Sequence, residues 1–209
     1  MIRLAALIVP CAVSVAVSAT IIAQRAEQAP ATVASAAGAA GPCTGAGNNR
    51  YVDCGNGTIT DTLTGLIWLK QANCLEEANY QAALKAAAAL KSGDCGLTDG
   101  SSAGSWRLPT KEEWEATIAR AIALGCTWTK APALTDDAGT GCYGDGKSSV
   151  IVGVNSVGYW SSTLNQIDPL STIFPTAQVV TFANLHHGDI RSIESIVELG
   201  VWPVRDPKK

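Results

Sequence analysis

Cysteine is the residue type that most constrains what this chain can fold into. Six of its seven cysteines lie between residues 43 and 142, and the seventh, Cys11, lies in an apolar amino-terminal stretch. An even number of cysteines behind an export signal indicates a disulfide-linked domain in an oxidising compartment. We therefore expect a secreted or periplasmic domain whose framework is held by disulfides.

The amino terminus has the pattern of a secretory signal peptide. Arg3 precedes a run, residues 4–23, that contains no charged side chain. Small residues offer cleavage sites after Ala19 or Ala23. The run is also nearly long enough to span a bilayer, so residues 1–23 are a signal peptide or, as the alternative, an uncleaved anchor.

The next segment, residues 24–50, consists largely of Ala, Gly, Thr and Pro. Such a segment cannot bury enough apolar surface to offset the entropy of ordering it, so we predict a flexible linker. The folded domain is expected to occupy residues 51–209.

Charge excludes one class of function. The 15 basic and 18 acidic side chains give a net charge of -3, and Lys and Arg form no run. Nucleic acid is therefore not an expected partner, and a membrane is expected to be contacted only through an uncleaved anchor. The oligomeric state is not indicated by the sequence.

The domain begins with a predicted β-hairpin. Alternating residues 58–62 and 66–70 flank a turn at residues 63–65. A turn centred near residues 63 and 64 places Ile59 opposite Trp68 and brings Cys54 near Cys74.

Two helices are predicted to follow the hairpin. The first runs from about residue 75 to 91, with Asn73 as its N-cap. The second begins at Thr110, which has capping-box spacing to Glu113, and ends near Gly125. The predicted buried faces are Tyr80, Leu84, Ala87 and Leu90 in the first helix, and Trp114, Ile118, Ala121 and Ile122 in the second.

The first helix decides the predicted disulfides. A helix of about 17 residues is roughly 25 Å long. The four residues between its end and Cys95 are too few to reach back over that distance to Cys74, which argues against a Cys74–Cys95 bond. Proximity in the hairpin favours Cys54–Cys74, and a short loop favours Cys126–Cys142. Cys43–Cys95 remains by elimination among fifteen possible connectivities.

A long loop rich in Gly, Asp and Thr, residues 126–147, separates the helices from a series of short strands. The strands are predicted at residues 149–154, 158–162, 178–182, 189–193 and 200–205. Hairpin, helices, loop and antiparallel strands in this order define an α+β fold.

Oxygen donors gather on the loops after the second helix. They are Asp136, Asp137, Asp145, Asn155, Asn165 and Asp168. Calcium prefers such donors, but their spacing fits no dedicated calcium motif. We therefore expect no cofactor and no metal site, with calcium as the alternative.

Tryptophan and histidine supply the remaining candidate ligand-binding groups. Five of the six tryptophans lie in patterned strands or on a helix face, where we expect them in the core. Trp128 lies in the long loop, so we predict that it contacts a ligand, together with Asp136, Asp137, Asp145 and Asn165. His186 and His187 are expected on an exposed turn before Gly188, and no recognised catalytic motif surrounds them.

Five motifs resemble one known family in sequence and order. They are Asp53–Asp61, Thr64–Trp68, Trp106–Glu113, Tyr159–Thr163 and Val204–Arg205. This set resembles the Lcl C-terminal domain family, named for a bacterial collagen-like adhesin. The resemblance implies a C-type-lectin-like fold in which the first hairpin pairs with the last strand and the long loop carries recognition. The sulfated polysaccharide that the adhesin binds is not expected here, because this chain has no basic patch.

These observations favour a non-enzymatic binding or adhesion module that recognises a glycan or a cell-surface protein through the long loop. The start of the second helix also resembles formylglycine-generating enzymes, so a related oxidoreductase is one alternative. That chemistry needs free thiols, whereas the cysteines of the exported chain can all be paired. A structural envelope protein without a ligand is the other alternative.

Overall fold

The computed structural model describes residues 39–45, 48–146, 148–155, 158–165 and 179–207. The predictions for residues 1–23 and for Asp168 lie outside these residues. The described part contains the helices α1 (Tyr80–Ala89) and α2 (Lys111–Ala123) and a short 3-10 turn at Trp128–Lys130. Its strands are β1 (Tyr51–Asp53), β2 (Thr58–Asp61), β3 (Ile67–Leu69), β4 (Leu75–Ala78), β5 (Gly158–Leu164), β6 (Val179–Asn184), β7 (Asp189–Glu194), β8 (Leu199–Val201) and β9 (Val204–Arg205).

The strands form two sheets, one of order β1-β2-β3-β9 and one of order β4-β8-β5-β6-β7. Strands β5 and β8 pair in parallel, and every other described pairing of strands is antiparallel. The predicted α+β class is confirmed, and the arrangement is consistent with a C-type-lectin-like fold.

The first hairpin has the predicted register. Ile59 lies opposite Trp68, and Trp68 also pairs with Val204 of β9, so the hairpin contacts the last strand. The strand predicted at residues 149–154 is wrong, because only Val152 makes a bridge there, to Gln71. In that segment the amides of Val150 and Ile151 donate to side-chain oxygens rather than to a neighbouring strand.

The first helix begins later than predicted. Residues 75–78 form β4, in which Leu75 pairs with Val201, and the N-cap of α1 is Asn79, whose side chain accepts from the amide of Ala82. Pairing with a strand more than 120 residues away thus outweighs the local helix signal.

The second helix has the predicted capping box, formed by Thr110 and Glu113. Trp114, Ile118 and Ala121 are buried in the predicted way, but Ile122 is 44% exposed, so its placement in the core was wrong. Thr117 lies on the buried face in its place, with its hydroxyl donating to the carbonyl of Glu113. The predicted buried face of the first helix is buried except for Leu84, which is half-buried. Ala83, which was not predicted there, is fully buried.

The disulfides are Cys43–Cys54, Cys74–Cys95 and Cys126–Cys142. Only the third was predicted correctly. Helix α1 has 10 residues and spans about 15 Å rather than 25 Å. The chain can therefore return from its end, and the Cα atoms of Cys74 and Cys95 lie 5.8 Å apart.

Part of the segment that composition assigns to the linker is held against the domain. Ala39 is buried, the amide of Ala40 donates to the carbonyl of Asp99, and Arg205 donates to the carbonyl of Ala40. Cys43 is bonded to Cys54. Residues 39–43 therefore cover the buried Arg205–Asp99 ion pair.

Five tryptophans lie in the core, as expected from their positions. Trp68, Trp114 and Trp202 form one cluster, with ring centroids 4.7–5.9 Å apart. Trp106 and Trp160 are also fully buried, and their indole nitrogens donate to Ser101 and to the carbonyl of Ala78. Large aromatic area in a small core gives a rigid frame for the surface loops.

The tyrosines make the fold sensitive to alkaline pH. Burial raises the pKa of Tyr51, Tyr80, Tyr143 and Tyr159 above the ordinary value. A raised pKa means that the folded state holds its phenol protons more tightly than the unfolded chain does. The contribution of the neutral phenols to the free energy of unfolding is complete below the unfolded pKa of about 10 and is lost as the pH rises through the folded pKa.

We expect part of the tyrosinate absorbance, that of the fully buried Tyr51, to appear only together with unfolding when the protein is titrated above about pH 10. Absorbance and near-UV circular dichroism recorded on the same samples check this. Four tyrosines that ionise near the ordinary pKa while the circular dichroism stays native would contradict it.

Candidate functional site

One surface combines an exposed indole with two imidazoles. Trp128 is 59% exposed, and its ring centroid lies 5.5 Å from that of His186 and 4.2 Å from that of His187, with the rings nearly perpendicular. The exposed side chain of Ile122 lies beside Gly188, the residue that follows the two histidines in the chain. We call Trp128, His186, His187 and Ile122 the Trp128 surface.

Main-chain hydrogen bonds fix the Trp128 surface. The amide of Trp128 donates to the carbonyl of His186 at 2.8 Å, which joins the long loop to the turn between β6 and β7. The carboxamide oxygen of Asn184 accepts from the amides of both histidines at 3.1 Å. The two backbone segments that carry the three rings are therefore bonded to each other.

Gly188 allows this turn to pack closely. Its φ is +73°, and a Cβ atom added there would lie 2.7 Å from Cγ2 of Thr127 and 3.1 Å from Cγ1 of Ile122. Only glycine meets both requirements without strain. The disulfide Cys126–Cys142 anchors the start of the long loop two residues before Trp128.

Trp128 has a strained backbone. Its φ is +56°, a left-handed conformation that bulky side chains rarely adopt and that costs about 1–3 kcal/mol. Such strain persists only where the surroundings hold the residue in place, and it is concentrated at functional sites. The rest of the fold thus stabilises an exposed indole in an unfavourable conformation.

The predicted loop carboxylates accept hydrogen bonds from their own loop or from the residues just after it. Asp136 is 5% exposed and accepts from the amides of Thr140 and Gly141. Asp137 accepts from the hydroxyl of Ser149, and Asp145 accepts from the amide of Cys142. The first two line a hollow of about 310 Å³.

Asn165 is the remaining predicted site residue and ends the described segment at β5. Its side-chain nitrogen Nδ2 donates to the hydroxyl of Ser192 at 2.8 Å. It lies at the far end of the β6–β7 hairpin from His186, because Ser192 pairs with Thr181 whereas the turn joins Asn184 to Asp189. The described residues contain no group of three His, Cys, Asp or Glu side chains that could hold a metal ion.

Sequence reasoning placed the histidines on an exposed turn but did not connect them with Trp128. The hydrogen bond between Trp128 and His186 joins residues 58 positions apart, and no pattern in the sequence marks it. The positive φ of Trp128 gave no signal either, since Gly and Asn are the residues that usually indicate it. Only Gly188, directly after the histidine pair, was a clue to the tight turn.

The cysteines of the described part are all oxidised. They form three disulfides within residues 43–142. Such bonds are characteristic of an oxidising environment outside the cytoplasm. Nowhere in the described residues does a helix reach the length and apolarity needed to cross a bilayer.

Fold and disulfides together define an extracytoplasmic, lectin-like module. The sequence model of the Lcl C-terminal domain family matches residues 57–205, and the chain belongs to this family. The match begins after Cys54, so the Cys43–Cys54 disulfide and residues 39–43 lie outside the matched region. No curated protein and no solved structure matches the chain.

Proposed function

We propose that the domain is a secreted or periplasmic, non-enzymatic binding and adhesion module, and that the Trp128 surface contacts a glycan or a cell-surface protein. One observation carries the proposal: five tryptophans are buried in the core, whereas Trp128 is held exposed in a strained conformation. Backbone strain persists only where the surroundings impose it and is concentrated at functional sites, so a ligand is the simplest reason for an exposed indole held in this conformation.

The chemistry of the surface suits recognition. An indole offers a broad apolar face and one N–H donor, and the two imidazoles add hydrogen-bonding nitrogens beside it. Because the main chain that carries the rings is already held by Asn184 and Gly188, little backbone entropy is lost on binding. Rigid aromatic anchors with polar neighbours typically supply most of the affinity of an interface.

The described residues offer no free thiol for the oxidoreductase alternative. Enzymes of the formylglycine-generating type need free thiols, but the six cysteines of the described residues form three disulfides. A disulfide sulfur is neither a nucleophile nor a metal ligand. The remaining alternative is a structural envelope protein, for which the Trp128 surface would have no ligand.

Binding is tested with the exported chain on glycan arrays and on extracellular protein panels, followed by affinity measurements with the strongest ligand. We expect Trp128→Ala to weaken binding by about thirtyfold or more, the equivalent of about 2 kcal/mol for a central aromatic anchor. Leu63→Ala is the matched control, since Leu63 is 62% exposed on the β2–β3 turn.

Equal affinities for the Trp128→Ala and unsubstituted proteins would refute the assignment of the site. A chain that binds nothing in either screen would leave the structural alternative as the better description. The Leu63→Ala variant is expected to bind like the unsubstituted protein, which separates loss of a specific anchor from loss of general apolar surface.

A further inference from the structure

Strand β7 is the last strand of the larger sheet, in which its described neighbour is β6. In an edge strand, alternate main-chain N–H and C=O groups point away from the sheet and can pair with another strand. Arg191 and Ser192 in the middle of β7 are exposed. Among the described residues no strand pairs with this outer edge.

The sequence of β7 is complementary to itself. In an antiparallel pairing of two copies centred on Ile190, Asp189 of each copy lies opposite Arg191 of the other, and Ile190 lies opposite its own equivalent. Side chains directly opposite each other in such a pair are about 4.5–5.5 Å apart at Cβ, close enough to form ion pairs. Charges on edge strands usually prevent pairing, but here this register brings unlike charges together.

The two faces of β7 provide different contacts for this pairing. Ile190 packs towards the core cluster that contains Trp114 and Ile118 of α2, whereas Ile193 packs towards the cluster beneath α1. Alternation along the strand therefore directs the side chains of Asp189 and Arg191 to the face opposite that of Ile190. Within one chain these two side chains already form an ion pair of 3.0 Å, and both are nearly half exposed.

An open groove runs along the α2 side of the same edge. A hollow of about 330 Å³ is lined by Ile118, Ala119 and Ile122 of α2, by Gly188 and Ile190, and by the charged residues Lys111, Glu115 and Asp189. A second hollow of about 420 Å³ continues along α2 and β7, sharing Lys111 and Ile190 with the first. A neighbouring strand would therefore find both free main-chain groups and exposed apolar side chains.

We propose that a second copy of this chain pairs with β7, forming a two-fold symmetric dimer with one continuous sheet. Asp189 and Arg191 of the two copies form a ring of four alternating charges on one face, and the two Ile190 side chains meet on the other, beside the two α2 helices. The β6–β7 turn carries His186 and His187 at the start of the paired strand. If the proposed function is right, the dimer also places two Trp128 surfaces near one interface, which would raise avidity for a ligand with repeated units.

Charge reversal tests the dimer independently of any ligand. In Asp189→Arg the register places Arg opposite Arg, and in Arg191→Asp it places Asp opposite Asp, so each variant should dimerise at least about tenfold more weakly than the unsubstituted chain. Mixing the two variants should restore dimers, because the Arg pair of one chain then faces the Asp pair of the other. The double variant Asp189→Arg/Arg191→Asp should dimerise with itself.

Sedimentation equilibrium on the full exported chain measures these states, and thermal unfolding confirms that each variant folds. Lys91→Asp is the control, since Lys91 is an exposed residue of the loop after α1 and lies outside both hollows. An unsubstituted protein that stays monomeric, or single variants that do not recover dimers on mixing, would overturn the proposal. A monomer that captures an extended peptide at β7 would assign the edge to a different partner and would overturn it as well.

Discussion

Replacement of Asp61 by Asn is expected to destabilise the domain by about 3–5 kcal/mol, because it leaves the buried Arg50 guanidinium without its counter-ion. The Asp61 side chain is fully buried, and that of Arg50 is 4% exposed. Their contact is bidentate, with Nε and Nη2 of Arg50 donating to the two carboxylate oxygens at 3.2 and 2.9 Å. Burial lowers the pKa of Arg50, but the hydrogen bond to Asp61, the nearby Tyr51 and the charge of Asp61 outweigh this and leave the pKa raised.

Arg50 also connects separate parts of the fold, which enlarges the effect. Its Nη2 donates to the carbonyl of Thr117 in α2 at 2.7 Å, and Asp61 accepts from the amide of Leu63 in the hairpin turn. Loss of the carboxylate charge therefore weakens the contact between the first hairpin and the second helix. Chemical denaturation at neutral pH measures the change in the free energy of unfolding.

A surface ion pair is the matched control for Asp61. Asp53 and Lys70 lie 2.6 Å apart, but each side chain is about one-third exposed, so Asp53→Asn should cost about 1 kcal/mol or less. Arg50→Met/Asp61→Leu, which removes both charges, should be less destabilising than Asp61→Asn alone. Equal losses for Asp61→Asn and Asp53→Asn would contradict the importance given to the buried pair.

Trp114→Ala is expected to cost about 3–5 kcal/mol, the range for removing a large aromatic side chain from a packed core. Trp114 is fully buried, and its ring centroid lies 5.0 Å from that of Trp68 and 5.9 Å from those of Tyr159 and Trp202. Its indole nitrogen donates to the carbonyl of Trp160 at 3.2 Å, so the substitution also leaves that buried carbonyl without this partner.

Trp128→Ala is the control because it makes the same chemical change at an exposed position. It creates no buried cavity, and alanine adopts the left-handed backbone no more easily, so we expect a change within about 1 kcal/mol. The two variants together distinguish a tryptophan that holds the fold from one kept for its surface. A loss of several kcal/mol in Trp128→Ala would show that Trp128 is structural.

Local signals in the sequence predicted local structure well. The register of the first hairpin followed from its turn, and the capping box of α2 followed from the spacing of Thr110 and Glu113, because each depends on residues close in the chain. The signal at Asn73 failed for the opposite reason. Residues 75–78 pair with β8 near the end of the chain, and no short window of sequence contains that partner.

The disulfide errors came from the same misplaced helix. A helix beginning at residue 75 separates Cys74 from Cys95, whereas the observed strand followed by a shorter helix brings them together. Once Cys74 is paired in this way, Cys54 bonds to Cys43. Cysteine count therefore predicted the number of bridges, while their partners depended on tertiary structure.

The candidate site could be predicted only in part. The position of Trp128 in a loop singled it out, and its exposure agrees with that choice. The loop carboxylates were chosen by residue type, but they accept hydrogen bonds from their own loop and from Ser149. The histidines and Ile122 join Trp128 through contacts between distant segments, which residue type alone does not reveal.

The assignment of ligand binding to the Trp128 surface is tested most directly by recording the indole N–H resonances of the six tryptophans while the strongest ligand from the screens is added. Five of these indoles are fully buried and one is exposed. Binding at the Trp128 surface predicts a large shift of the Trp128 resonance, assigned through Trp128→Phe, with little change in the other five. A saturating ligand that leaves the Trp128 resonance unmoved would contradict it.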